Sequence, residues 1–384
     1  MIDTYFKGDR IIWLVVMLLS IISILAVYSS TGTLAYKYQS GNTEYYLFKH
    51  GSIILFGFVI MYLAHKVKYT FYARISKIAV ILVVPLLLLT LLMGANLNDA
   101  SRWLRLPVIG LSFQTSDLAK VALIIFVARM LAKNQDKIKD FKTGFLPIII
   151  PVALICGLIL PANFSTAAVL FSTCLVLMFI GRVSAKYILS LMGIGVVGLG
   201  LFIGIALMVG YEGRIKTWQK RIENFSNPES EANYQTQQAK IAIAKGGLLG
   251  QGPGNSTQRN FLPHPYSDFI YAIILEEYGL AGGVMVLLLY LLLLYRAVLI
   301  VRRSPKAFAT MLAIGCAFSL VFQAMINMAV AVNLFPVTGQ PLPMLSMGGT
   351  SIWFTSIALG IILSVSRDVE GETQEEGGMQ LAAV

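Results

Sequence analysis

Ile11–Ser29 reads IIWLVVMLLSIISILAVYS, a run without one charged side chain. A membrane helix needs about 20 consecutive apolar residues, because each adds about 1.5 Å along an axis that must cross roughly 30 Å of hydrocarbon. The run meets that length. It follows a mixed-charge start (Asp3, Lys7, Asp9, Arg10), is long, and has only a weak small-residue cleavage pattern of the kind a secretory leader carries. It is therefore expected to remain as a first membrane helix.

Nine more runs of the same kind follow: Gly51–Val67, Ile78–Met93, Ser116–Leu131, Phe145–Leu160, Phe164–Ile180, Tyr187–Val209, Asp268–Tyr295, Phe308–Val330 and Ser346–Ser364. The expected fold is an all-α polytopic membrane protein with ten transmembrane helices. Composition agrees. The chain has 384 residues, 57% hydrophobic and 13% charged, with mean hydropathy +0.75. A soluble domain carries about 25% charged residues. So few polar side chains cannot cover a water-facing surface, and lipid must do the covering.

Lys and Arg give the direction, since short cytoplasmic loops hold an excess of them. With the N-terminus inside, the inner segments hold eighteen and the short outer loops four: Lys37, Lys49, Arg102 and Arg105. Both termini are expected in the cytoplasm. The 54 residues Tyr211–His264, between the seventh and eighth spans, carry seven more, including Arg221. Long loops translocate largely regardless of charge, so 211–264 is expected as a large extracytoplasmic loop. The net charge of +11 reads as this bias. A nucleic-acid partner is not expected, because the cations are scattered among apolar spans. Residues 1–367 are expected to form one ten-helix domain, and the acidic tail 368–384 (Glu370, Glu372, Glu375, Glu376) to be disordered.

Cys156, Cys174 and Cys316 each lie inside an apolar run and read as small core residues. His50, His65 and His264 fall in no zinc motif. Gly200 and Gly204, in a glycine-rich seventh span, are expected at a helix-packing face. The run from Gly246 to Gly254 looks like a phosphate loop only superficially, lacking the Lys-Ser or Lys-Thr that would follow. A sharply folded loop is the first expectation, with approach of its amides to a diphosphate as the other.

Charges inside spans are costly and mark candidate sites. Asp117 and Lys120 are three residues apart and can pair on one helix face, in a structural or a functional role. Asp268 follows Leu262-Pro-His-Pro-Tyr-Ser267 at the mouth of the eighth span, where it could be a helix cap or a base. Glu276 and Glu277 lie two turns deeper and are expected in an internal network.

Several blocks then resemble one family. Ser101-Arg-Trp-Leu104 with Phe113-Gln-Thr-Ser-Asp-Leu-Ala-Lys120 is similar to the "RW…fQPSElaK" block of the SEDS proteins (shape, elongation, division and sporulation). Tyr234-Gln235, Gly247–Gly254, and Leu262–Ala272 with Glu276-Glu277-Tyr-Gly279 resemble its large-loop and "LPe..tDFifA" blocks. Asn333–Gly339, Pro341–Pro343 and Ser346–Ser351 resemble "lPvTGipLPfiSyGGsS". The blocks run in order from Ser101 to Ser351, and the large-loop stretch is closer to the FtsW branch than to RodA. Four positions depart: Asn163 stands for the Asp of "QPD", Asp117 for the Glu of "PSE", His264 for the Glu of "LPe" and Thr115 for the Pro of "QPS".

The resemblance implies a peptidoglycan glycosyltransferase acting on lipid II, a disaccharide-pentapeptide on undecaprenyl diphosphate. It implies a class B penicillin-binding transpeptidase and other division proteins as partners. It puts the general base at Asp268. Lys120, Arg102, Arg221, Gln114 and Ser346 would bind substrate and diphosphate, and Asp117, Glu276, Glu277 and Asn163 would support them. A divalent cation, Mg or Mn, could bridge the diphosphate. An elongation-type polymerase, a lipid II flippase and a non-enzymatic scaffold stand as alternatives. Polymer formation discriminates the last two.

Overall fold

The protein is seen in a computed structural model that describes residues 7–93, 95–97, 100–105, 112–208, 221, 223, 225–226 and 234–382. Among them are twelve α-helices: α1 Arg10–Ser30, α2 Gly32–Tyr38, α3 Thr43–Lys66, α4 Tyr69–Met93, α5 Thr115–Lys133, α6 Leu146–Ile159, α7 Phe164–Ile180, α8 Ala185–Met208, α9 Tyr234–Gly246, α10 Ile270–Arg303, α11 Ala307–Ala331 and α12 Thr350–Ala382. All but α2 and α9 coincide with the ten expected spans. Seven of those ten are long and apolar enough to cross a membrane on length and composition alone. The other three are α5, with Asp117, Lys120, Arg129 and Lys133 along it, and the apolar helices α7 and α8.

The helices stand between two faces. At one, both ends of the bundle are tied together: buried Asp9 caps α1, accepting from the amides of Ile11 at 3.0 Å and Ile12 at 3.1 Å. It also pairs with Arg296 Nη2 at 2.6 Å, and its own amide donates to Ser366 Oγ at 2.9 Å. Removing one partner of such a buried pair leaves the other charge without compensation. Asp9→Ala is expected to lose about 3 kcal/mol, and Asp9→Asn, which keeps the cap, less. Thermal midpoints of the two variants in detergent check this. The other face carries α2, α9 and the chain from 247 to 269.

Between the faces, α3 and α12 make the most extensive helix contact. A Cβ on Gly360 would lie 2.5 Å from the Met61 oxygen, and one on Gly57 2.8 Å from Ser356 Oγ. Small residues let membrane helices approach this closely.

Three features differ from expectation. A three-stranded antiparallel sheet, β1 Ala95–Leu97, β2 Ala100–Arg105 and β3 Ser112–Gln114, joins α4 to α5, pairing Trp103 with Gln114. Its strands are too short to stand out as a pattern. Among the described residues Gly200 and Gly204 do not pack against a helix: a Cβ on either meets nothing within 4 Å, because α8 lies at the edge of the bundle. The acidic tail, expected to be disordered, continues α12 as helix to Ala382, with Val369 buried and the Gly8 amide donating to Glu370. No proline interrupts it.

Candidate active site

The site is built on a broken helix. Within α10, Gly279 takes φ 65° and ψ −167°, a conformation open in practice only to glycine, so residues 270–278 form a short helix set off from the rest. A break frees carbonyls on one side and amides on the other, and in a membrane both need partners. The glycine-rich loop supplies them. Gln251 and Gly252 amides donate to the oxygens of Glu276 and Glu277, both at 2.9 Å. Leu280 and Ala281 amides donate to the oxygens of Gly247 and Leu248, at 2.9 and 3.1 Å. The backbones touch so closely that a Cβ on Gly250 would lie 2.2 Å from the Glu277 oxygen. The loop is therefore a structural clasp. The amides of residues 250–252 are engaged and are not offered to a diphosphate.

Glu276 and Glu277 complete this support and are both buried. Glu276 accepts from Ser256 Oγ, from Thr257 and from the Gln258 amide, holding the turn Gln258–Asn260. Glu277 accepts from Ser29 Oγ, and Arg259 Nη1 reaches the Ser29 oxygen at 2.9 Å. These bonds dock the large loop on the end of α1.

Asp268 stands at the open end of the short helix. Phe269, not Asp268, occupies the cap position, and that helix has no side-chain cap. Asp268 is half-buried, and its carboxylate accepts from Ser267 Oγ at 2.9 Å. Gly339, with φ +64°, lies against it: a Cβ there would be 3.4 Å from Asp268 Oδ2 and 4.0 Å from Arg221 Nη2. Arg221 Nη1 donates to the Thr338 oxygen at 3.3 Å. A carboxylate and a guanidinium thus border one point, with residue 339 in ordinary contact range of both. Burial, with Tyr46 and Asp268 close by, holds the Tyr266 phenol above its ordinary value, so it remains a neutral donor beside the site.

Lys120 sits elsewhere. Its Nζ is 2.7 Å from Asp117 Oδ1 and donates to Gln323 Oε1 at 2.9 Å. Together they line a small cavity of about 20 Å³, room for about one water molecule, between α5, α11 and α12, with Ser319, Ser351 and Thr355. Gln323 Nε2 donates to the Pro341 oxygen at 2.9 Å, which connects this cavity to the chain beside Asp268. Asn163 caps α7, its Oδ1 accepting from the Thr166 amide at 3.4 Å.

Other candidates fall into different roles. Ser346 is buried and does not face a ligand. Its Oγ donates to the Ser267 oxygen at 2.6 Å and accepts from the Leu342 amide at 2.8 Å, which fixes the loop that carries Asp268. Gln114 Nε2 turns back to Ser116 Oγ at 2.9 Å. Arg102 lies on β2, with its side chain outside the described residues, as are Arg214, Lys216 and Lys220. His264 Nδ1 lies 3.3 Å from the Tyr266 hydroxyl. Among the described residues no three His, Cys, Asp or Glu side chains converge. They do not fit a protein-held divalent cation.

Four participants were not singled out from sequence: Gln323, Asn327, Gly339 and Gln340. Gln323 and Asn327 did leave a trace, as two amides one turn apart inside an apolar span.

The family described as cell cycle protein, spanning FtsW, RodA and SpoVE, matches residues 9–371. A probable peptidoglycan glycosyltransferase FtsW from Geobacter sulfurreducens is 32% identical over 372 residues, covering 95% of this chain and 96% of its own. Stage V sporulation protein E from Bacillus subtilis is 33% identical over 366 residues, covering 94% and 97%. Among solved structures, the Thermus thermophilus rod shape determining protein RodA aligns with TM-score 0.68 at 22% identity over 95% of this chain and 98% of its own. A chain of a peptidoglycan synthase complex that coordinates polymerization and crosslinking aligns with TM-score 0.70 at 23% identity, covering 94% and 98%. Since the family match runs from the cap of α1 to the helical tail, and two relatives exceed 30% identity over nearly the whole length, this chain belongs to the FtsW, RodA and SpoVE family, the SEDS proteins.

Proposed function

We propose that this protein is a peptidoglycan glycosyltransferase that polymerises lipid II at the outer surface of the cytoplasmic membrane. One observation carries the reading: Asp268 is half-buried, its carboxylate is not consumed as a helix cap, and it borders Gly339 together with the Arg221 guanidinium. The relatives named as probable peptidoglycan glycosyltransferases supply the reaction class. Asp268 takes the proton of the acceptor GlcNAc 4-hydroxyl as that oxygen bonds to C1 of the donor MurNAc. The bond from C1 to the diphosphate oxygen breaks, and undecaprenyl diphosphate leaves with the electron pair. One displacement turns the α-linked donor into a β-1,4 link. Arg221, with Lys120 from its cavity, balances charge on the leaving diphosphate. Two lipids held in one plane supply proximity.

The test is purified lipid II incubated with the protein, with and without a cognate class B transpeptidase, the proposed partner. Gel-resolved glycan polymer is expected. Transport of labelled lipid II in vesicles without polymer under either condition would move the reading to a flippase. Lys120→Ala is expected to lower turnover about 10²-fold in the same assay. An unchanged rate would leave Lys120 as the structural partner of Asp117.

Both termini are proposed to be cytoplasmic, on the bias of eighteen cations against four. A cysteine at the exposed Leu249 should react with an impermeant maleimide on intact spheroplasts; protection there would invert the topology. The role proposed is septal, supported by the relatives named FtsW. Depletion should give filaments. Rounded cells would point to elongation instead, and normal growth with failed spores to sporulation.

A further inference from the structure

We infer that three buried amides, Asn163, Gln340 and Asn327, act as one positioning group for Asp268. The inference rests on the proposed glycosyl transfer for its catalytic half only. Asn327, on α11, holds two distant parts of the chain together with a single nitrogen. Its Nδ2 donates to the main-chain oxygen of Asp268 at 3.0 Å and to that of Gln340 at 2.7 Å. Gln340 sends its own side chain the other way, where Nε2 donates to Thr166 Oγ1 at 2.7 Å and to Asn163 Oδ1 at 3.4 Å. The line therefore runs from the head of α7, through the segment after α11, back to α11 and on to Asp268.

The three side chains are 5% exposed or less. Away from water, an amide that loses its partner leaves a polar group unsatisfied, so such a line holds or fails as a unit. It also reaches more than the base. Gln340 directly follows Gly339, which borders Asp268 Oδ2, and Thr338, whose oxygen anchors Arg221. Fixing Gln340 thus sets the carboxylate and the guanidinium relative to each other. Asn163 stands where the resemblance leads one to expect a carboxylate. Here it enters the line as an uncharged cap and does not compete with Asp268 for the site's cations.

The experiment uses the full chain with its transpeptidase partner and two variants, Gln340→Leu and Asn327→Ala. Thr166→Val, which removes one hydroxyl from the line, serves if either fails to fold. Backbone hydrogen exchange over residues 262–270 should rise about tenfold or more in each variant, far in sequence from the substitution at 340. With lipid II, kcat should fall about 10²-fold with KM within about twofold, the pattern of a displaced base rather than lost binding. Unchanged exchange at 262–270, even with a lowered thermal midpoint, would overturn the line. Raised exchange with an unchanged kcat would overturn its positioning role. No polymer from wild type with its partner would overturn the glycosyl-transfer reading, and the exchange comparison would still decide the line.

Discussion

Asp268→Asn is expected to reduce glycan polymerisation at least about 10²-fold while the protein remains folded, because it removes the proton acceptor without changing the shape of the side chain. The structure gives the reason that folding should survive. Asp268 is only half-buried and its carboxylate bonds to the neighbouring Ser267 hydroxyl. The loop is held by other atoms: the Asp268 main-chain oxygen by Asn327, the Ser267 oxygen by Ser346, and the Tyr266 oxygen by the Met347 amide at 2.8 Å. None of these needs a charge at 268. Asp268→Glu keeps the base but moves it by a methylene, and should retain part of the rate. Lipid II polymer on gels, together with the thermal midpoint, checks both variants. Wild-type polymerisation by Asp268→Asn would remove Asp268 from the chemistry.

The second large effect is expected at Gly279, far from any reacting atom. Gly279→Ala places a Cβ 2.4 Å from the Leu248 oxygen and 2.5 Å from the Gly250 amide nitrogen, on a backbone whose φ is +65°. Neither neighbour is a flexible side chain that can move aside. The strained conformation alone costs about 1–3 kcal/mol, and overlap with backbone adds to it. Relief requires the glycine-rich loop to lift off, which strips the Glu276 and Glu277 oxygens and the Leu280 and Ala281 amides of their partners. The short helix behind Asp268 would then be anchored at one end only. A lower thermal midpoint, faster hydrogen exchange over 246–252 and loss of most polymerisation are expected together. An Ala variant with wild-type stability and rate would show that the clasp is dispensable.

How much of this was legible in the residues differs from element to element. The ten spans were, down to α5 with its charges, because a run of apolar side chains states its preferred solvent one residue at a time. Glu276 and Glu277 are buried, and a carboxylate facing lipid is costly wherever the rest of the chain goes. Ser346 shows where residue type leaves a role open. Its hydroxyl could bond substrate or backbone, and only the approach of Ser267 and Leu342 shows that backbone takes both of its bonds. Gly200 and Gly204 carried a packing pattern, yet the neighbour that would use it is absent from that side of α8 among the described residues.

Solvent, number of crossings and charge bias thus follow from residue types and spacing, because each is a sum of local transfer energies that needs no knowledge of neighbours. The site does not follow in that way. Gly339 between Asp268 and Arg221, the Asn327 amide shared by two main-chain oxygens, and the helix break clasped by a glycine loop all join positions far apart in the chain. Their contacts exist only once the helices have packed, since hydrogen bonds and close approach act over a few ångströms and the order of residues does not say which of them will meet.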